Sequence, residues 1–571
     1  MPFTASRPSL SSAPRHAPVS ASNLTTVESH QHRTSQTSSP RTLTATAQGP
    51  SSGVIHVGGA PTLRAEVIWI LKSISDHHSY SSNEGISEIF KAMFSDSEIA
   101  ATFTSGKNKT SYITKFGLAP FITKELVKEV NEASGGFVVM FDESLNKTTK
   151  TKPLDIHLRY WSGDHVALRY LGSQFMGHGK AVDLLKHFKE CITDLDQRIM
   201  VSISMDGPNV NWKFLELLQR ELGEQYAGKQ LAVVGTCGLH TLHNSVKAGF
   251  NAWQMEKILR ALHTIFLNVP ARREDFIAVT KSSTFALPFC GHQWVENLPV
   301  AERALQIWPN ILKYVAAVRT KDVNNPATSS FDTIEVAAKD PFVIAKLEFF
   351  TAVCRTVSPF LTRYQTDEPV LPFIAHDLAE LLKSLLRRFV KIDLLRDATP
   401  AQLVRLDVTE KEATVPVRAI DIGIGAENAI KELHKQSKAT GVLSVIVFRK
   451  ECMEGLIKIV KKLQDKSPLK YPTVRQMSCL DPAKMYTSPE LCQSQMKGLV
   501  KQFIQDKQLD GGIAAVDLII QQFAQFSLDV CLQSFGEAAG CFPPHLRQSS
   551  LPPDVGFHPE AAVALTWTGH G

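Results

Sequence analysis

The spacing of apolar residues changes twice along the chain. Residues 137–250 contain short apolar or alternating segments, whereas the residues before and after them repeat their apolar positions every three or four residues. Because side chains alternate across a strand and recur at the longer spacing on a helix, strands are predicted only in the middle segment. They are expected at 137–141, 155–161, 165–171, 199–205 and 231–234, with helices at 181–192 and 210–222.

The order of these elements predicts a fold. The first three strands are suited to an antiparallel meander, and they are followed by helix, strand, helix and strand. This is the element order of the ribonuclease H-like fold, in which the first and fourth strands are parallel neighbours. The predicted fold class is therefore α/β, with a ribonuclease H-like mixed sheet over 135–250, a helical N-terminal lead-in over 63–134 and a large all-helical insertion.

The insertion and C-terminal region cover residues 251–530. Helical spacing is found there at 253–267, 300–318, 344–364, 372–395, 443–463 and 496–526. Residues 1–62 are rich in Ser, Thr and Pro and bury too little apolar surface to offset their ordering entropy, so a disordered tail is predicted. Residues 531–571 contain many Pro and Gly residues and are predicted to be an irregular tail.

Two aspartates stand at the ends of predicted strands. Asp142 follows the first strand and Asp206 the fourth, and in this topology the two strand ends are neighbours. Carboxylates brought together repel unless a cation lies between them, and a pair of divalent ions on such carboxylates is a common apparatus for phosphoryl transfer. Asp142 and Asp206 are therefore candidate catalytic residues and candidate Mg²⁺ ligands. The alternative is that each only caps a helix or forms an Asx turn.

Four segments in consistent order resemble blocks of transposase-derived proteins in the hAT superfamily. They are residues 141–146, 204–212, 237–244 and 293–297, within a match of roughly residues 63–500. The ordered series is more specific than any single block. The resemblance implies a ribonuclease H-like core with a large helical insertion after the fifth strand. It also implies a catalytic Asp-Asp-Glu triad whose first two members align with Asp142 and Asp206.

Three features depart from the family pattern. Gln293 replaces the arginine that usually precedes the tryptophan, which is Trp294 here. The chain contains no Cys-x2-Cys pair, so a zinc finger of the BED type is missing. The family's third acid belongs to a C-terminal block resembling Glu-Arg-x-Phe-Ser, and residues 541–571 contain no such block. The catalytic site implied by the resemblance is therefore incomplete.

A further group of cysteine and histidine side chains could bind zinc, although their spacing does not favour it. Cys237, His240 and His243 are spaced Cys-x2-His-x2-His, which is compatible with zinc ligation. At a strand end and the start of a helix three such ligands do not converge easily, so packing and hydrogen bonding are the preferred interpretation. Trp294 is expected to pack a helix start against the core. Glu296 is expected to cap that helix and to point away from the two aspartates.

Composition limits the possible binding partners and the cellular compartment of the protein. The formal net charge of +6 permits contact with nucleic acid without requiring it. Lysine-rich faces at 383–391 and 458–470 suit a DNA backbone, although solvated helices carry such faces too. The nine cysteines lack paired spacing, and no apolar run approaches the ~20 residues of a membrane span. Reduced thiols in a nuclear or cytoplasmic protein without a membrane partner are expected.

The predicted function is that of a transposase-derived protein that has lost strand transfer. Its candidate partners are DNA, another protein, or a second copy of the chain. One alternative is an active Mg²⁺-dependent transposase or nuclease that uses Asp142, Asp206 and an acid not placed by the sequence. Another alternative is a structural interaction protein without a nucleic-acid role.

Overall fold

A computed structural model describes residues 44–47, 53–56, 61–133, 135–143, 150–177, 179–235, 238–366, 368–436, 441–509 and 511–538. Cys237, most of the predicted N-terminal tail and residues 539–571 lie outside the described residues. The chain divides into two compact units, residues 1–122 and 123–571.

The first unit contains one short hairpin and a series of helices. The hairpin strands β1 (Thr44–Ala47) and β2 (Gly53–His56) pair antiparallel. A π-helical turn at Thr114–Leu118 follows the fourth helix. The helices are α1 (Pro61–Ser75), α2 (Ile86–Met93), α3 (Glu98–Thr102), α4 (Lys107–Ile113) and α5 (Ala119–Asn131), of which α5 continues into the second unit.

The second unit contains a four-stranded mixed sheet. Strands β3, β4 and β5 form an antiparallel meander, and β6 pairs with β3 in parallel. The first and fourth predicted strands of the core are therefore parallel neighbours, as the element order requires. The strands are β3 (Phe137–Glu143), β4 (Lys152–Ser162), β5 (His165–Met176) and β6 (Met200–Ser204), in the order β5-β4-β3-β6.

Two glycines fix connections of the sheet. Gly163 has a φ of 63° in the two-residue turn between β4 and β5, where Ser162 pairs with His165. Gly136 has a φ of 70° immediately before β3, and a Cβ there would overlap the Ile199 carbonyl oxygen. Glycine is therefore required where β3 begins beside the chain that enters β6.

The predicted fifth strand is reduced to a single bridge. Ala232 pairs with Ser202 in parallel, and the Ser202 hydroxyl donates to the Ala232 carbonyl at 2.6 Å. The Gln230 N–H donates instead to the Asp506 carbonyl at 2.9 Å, and the Gln508 amide donates to the Gln230 carbonyl at 2.6 Å. The segment lies beside β6 as expected, but a C-terminal loop takes part of its backbone hydrogen bonding.

The sheet separates two layers. Helices α6 (Ala181–Cys191) and α7 (Asn209–Gln225) cover one face, where the Phe141 ring lies 6.0 Å from Phe188 and 5.2 Å from Phe214. Val138 and Met140 alternate to the other face and belong to the apolar core of the helical region. The helical region thus packs on this other face of the sheet.

The remaining described residues are helical, with turns and one isolated bridge between Val390 and Thr414. The mainly helical prediction for this region therefore agrees with the structure. No described helix is both long enough and apolar enough to cross a membrane. The helices are α8 (Gly238–Phe250), α9 (Met255–Thr264), α10 (Pro270–Thr280), α11 (Leu298–Thr320), α12 (Ser329–Ala337), α13 (Val343–Tyr364), α14 (Leu371–Leu386), α15 (Pro400–Arg405), α16 (Ile424–Gln436), α17 (Val442–Lys466), α18 (Pro472–Gln476), α19 (Pro482–Thr487), α20 (Pro489–Gln505) and α21 (Gly512–Ala538).

Helix bounds differ from the predictions at three places. α14 ends at residue 386 instead of 395, because the following backbone turns to pair with another loop, with the Lys391 N–H donating to the Ala413 carbonyl at 3.0 Å. The predicted helix 496–526 is two helices, because Lys507, just after the end of α20, adopts a left-handed φ of 55°, and the Gln508 N–H turns back to the Phe503 carbonyl at 2.8 Å. α21 then continues into the tail that was predicted to be irregular.

Candidate functional site

Asp142 and Asp206 lie at the same edge of the sheet. The parallel register pairs Met140 with Ser204, and each aspartate follows its member of that pair by two residues. Asp142 is still within β3, directly opposite Asp155 in the antiparallel ladder with β4. Directly opposed residues share a face of the sheet. The three carboxylates therefore form a row across neighbouring strands, with Asp142 in the middle.

Repulsion between these charges is evident at Asp142. The residue is exposed, yet partial desolvation raises the pKa of its carboxyl group, and the charges of Asp206 and Asp155 raise it further. His240 and a hydrogen bond from the Glu143 backbone act in the opposite direction and lower that pKa. The pKa of Glu143 is raised as well, chiefly by desolvation. The end of β3 therefore carries concentrated negative charge.

His240 contacts one of the two predicted acids directly. It lies in the first turn of α8, and its Nδ1 is 2.9 Å from Oδ1 of Asp206. The side chains of His240 and Asp206 are 37% and 33% exposed, so solvent and a ligand can reach both. The His240 ring therefore lies against the Asp206 oxygen that a metal ion would otherwise use.

Asp206 does not act as a helix cap. The residue at the N-cap position of α7 is Pro208, which provides no side-chain cap. The Asp206 carbonyl accepts a hydrogen bond from Asn211 Nδ2 at 3.2 Å, while its carboxylate faces His240. The simple capping alternative for this aspartate is therefore wrong.

A lysine from the helical region reaches the same edge. Lys466, at the end of α17, has its Nζ 3.5 Å from the carbonyl of Gly207, the residue after Asp206. Close packing holds the neighbouring loop there, since a Cβ at Gly235 would lie 3.4 Å from the Tyr471 ring. The site thus combines carboxylates from the sheet with a cation from a distant helix.

The histidine cluster favours the packing interpretation over zinc. His243 is 3% exposed, and its Nδ1 accepts a hydrogen bond from the Val295 N–H at 3.2 Å. Burial, together with His240 and His292, lowers the pKa of His243 to about 4, so the ring is neutral at pH 7. His240 is engaged with Asp206 instead, and Cys237 lies outside the described residues.

The block 293–297, which contains Trp294, is a structural support for α11. Trp294 is 1% exposed, and its ring packs against that of Phe289 at 5.4 Å, which agrees with the predicted packing role. Glu296 does not cap α11, because the N-cap residue is Asn297 and no side-chain cap is formed. The Glu296 carboxylate accepts from the Gln365 amide at 3.5 Å.

The donor set does not fit a pair of metal ions. In the described parts of the chain, no group of three or more His, Cys, Asp or Glu side chains is arranged to hold a metal. β4 and β6 flank β3, so Asp155 and Asp206 lie on opposite sides of Asp142. Ser173 also donates a hydrogen bond to Asp155. Two-metal centres need ligands that converge on ions about 3.5–4 Å apart, and acids spread on both sides of Asp142 do not converge in this way.

Comparison with known proteins does not identify a family. The sequence matches no protein-family model and no curated protein. The resemblance to hAT transposases therefore stays a prediction carried by the residues of the four blocks and by the topology.

Two residues of the site region, Asp155 and Asn297, were not singled out from the sequence, and a third, Lys466, was identified only as part of the lysine-rich segment 458–470. Asp155 shares its face with Asp142 only because of the β3–β4 register, which residue spacing does not specify. Lys466 is separated from Gly207 by most of the helical region. Asn297 is fully buried and bonds Cys290 twice, through a donated bond at 2.8 Å and an accepted bond at 2.7 Å. The only sequence signal for Asn297 was its place in the block 293–297.

Proposed function

We propose that this chain is a transposase-derived protein with a ribonuclease H-like domain that has lost strand transfer and retains a binding role. The sheet order, the parallel pairing of β3 with β6 and the helical region after the fifth-strand position support the proposed ancestry. The ordered sequence blocks support the hAT superfamily in particular. The observation that carries the proposal is the position of Asp142 and Asp206 at one edge, with His240 on one oxygen of Asp206.

The geometry of the acids supports a loss of catalysis. In-line phosphoryl transfer needs stabilisation of both the attacking and the leaving oxygen. Asp142 and Asp206 can hold a single Mg²⁺ only weakly, because this ion keeps most of its water when few carboxylates bind it. Asp155 lies on the far side of Asp142 from Asp206 and is engaged by Ser173. No step of strand transfer is therefore assigned to these residues.

A binding role is supported by the charge next to the acids. Lys466 borders the loop after Asp206, and Lys462 and Lys470 are exposed beside it. Lysines of this kind bind phosphates of a nucleic-acid backbone through release of counterions. The proposed partner of the second unit is therefore DNA, brought to the edge where the ancestral reaction took place.

The test is nicking of a supercoiled plasmid by the intact chain in Mg²⁺ or Mn²⁺. We expect no relaxed or linear product from the wild type beyond that of the Asp142→Ala/Asp206→Ala double variant. The exposed Asp194 provides a matched control, Asp194→Ala, for a change of surface charge. Metal-dependent nicking that persists in the control and disappears in the double variant would restore the nuclease alternative.

A further inference from the structure

Two aromatic rings lie exposed and side by side on the first unit. Tyr112 is 67% exposed and Phe116 is 60% exposed, and their ring centroids are 4.9 Å apart. Their spacing of four residues places them on one side of the helix. Phe116 lies in the π-helical turn Thr114–Leu118, and turns of this rare type occur frequently at functional sites.

A lysine lies beside the two rings. Lys115 Nζ lies 5.2 Å from the centroid of the Phe116 ring. The Lys115 side chain is exposed and forms no ion pair within the described residues. Residues 99–122 contain no Asp or Glu. Lys115 therefore adds positive charge to an aromatic surface that faces solvent.

We propose that Tyr112 and Phe116, together with Lys115, bind single-stranded nucleic acid. Bases that stack on exposed rings and phosphates that meet lysines are the usual chemistry of sites that bind single strands without sequence preference. Duplex DNA keeps its bases stacked internally and offers no base face to the rings. An apolar protein surface would match the rings and leave Lys115 without a counter-charge.

This site is independent of the function proposed above. It belongs to the first unit, whereas Asp142, Asp206 and His240 belong to the second. Strand binding and plasmid nicking therefore test different residues. A negative result for one proposal does not contradict the other.

The rings can be removed without damage to the core of the unit. Its buried apolar cluster consists of Val67, Ile70 and Leu118 and contains neither ring. Substitution of Tyr112 or Phe116 by alanine therefore removes exposed surface only. Phe175 of the second unit is 64% exposed and provides a control aromatic residue outside the proposed site.

The experiment is fluorescence anisotropy of a labelled single strand of about 16 nucleotides with the full chain, compared with a duplex of the same length. We expect the ring variants to lose affinity for the single strand and to keep that for the duplex. Tyr112→Ala and Phe116→Ala should each weaken single-strand binding at least about fivefold, since one stacked base is worth ~1 kcal/mol or more. Tyr112→Phe and Phe175→Ala should bind like the wild type. Lys115→Gln should reduce the slope of log K against log salt for the single strand by about 0.7.

Three results would overturn the proposal. The first is wild-type affinity in both ring variants, which would leave only nonspecific attraction to lysines. The second is a loss of duplex affinity in the ring variants as large as the loss of single-strand affinity, which would show that the rings do not select unpaired bases. The third is a dimer in light scattering that becomes a monomer in the ring variants while strand binding is unchanged, which would assign the rings to an interface between copies.

Discussion

The crossing of α8 and α17 holds two parts of the candidate site, and it depends on a pair of glycines. A Cβ at Gly249 would lie 2.5 Å from Ile459 Cγ1 and 2.9 Å from the carbonyl oxygen of Gly455. α8 carries His240 in its first turn, and α17 ends at Lys466 beside the loop that follows Asp206. Gly249→Ala should therefore separate the helices and disturb the site as well as the core.

Two effects of opposite sign determine how much Gly249→Ala changes the free energy of unfolding. Alanine is favoured over glycine in a helix interior by about 1 kcal/mol. Overpacking in a close-packed core costs about 1–3 kcal/mol and sometimes more. The upper end applies here, because one of the contacted atoms, the Gly455 oxygen, belongs to the backbone and cannot rotate away. We therefore expect a net loss of about 2 kcal/mol in the free energy of unfolding.

Urea denaturation followed by circular dichroism measures this loss. The matched control is Gly498→Ala in α20, where the added Cβ meets only the end of the Gln476 side chain, which can rotate away. The control should be neutral or slightly stabilising. Stability of Gly249→Ala equal to or above that of the wild type would refute the close approach of the two helices.

Two further predictions concern a charge and a buried amide. Because desolvation and Asp206 raise the pKa of Asp142 above its ordinary value of 3.8, the folded state binds more protons than the unfolded state, and stability falls as pH rises through this window. Asp142→Asn should therefore raise the midpoint of thermal unfolding at pH 7 and should give no gain below pH 3.8. An Asp194→Asn control should give no gain. An unchanged midpoint of Asp142→Asn at pH 7 would contradict this prediction. Asn297→Ala removes both bonds to Cys290 in the core and should cost roughly 2–3 kcal/mol in urea denaturation; a loss within error of zero would show that the loop is held by other contacts.

Local patterns were sufficient to locate most helices and strands. The apolar run at the start of β3 and the alternation along β4 and β5 reflect the two-residue period of a strand, which each segment carries by itself. Element order then placed β3 beside β6, because connections between parallel strands follow few topologies. The proximity of Asp142 and Asp206 followed from these two steps. Helix ends without a glycine signal were harder to predict, as the end of α20 just before Lys507 shows.

Tertiary structure alone decided which side chains complete the site. The register of β3 against β4 brought Asp155 opposite Asp142, and the packing of α17 on α8 brought Lys466 to Gly207. His240 reached Asp206 because α8 packs on that face of the sheet. Periodicity records which face of an element is apolar, but it contains neither the register between strands nor the position of one helix along another. These contacts between remote residues leave the acids in a row, and this arrangement argues against a two-metal centre.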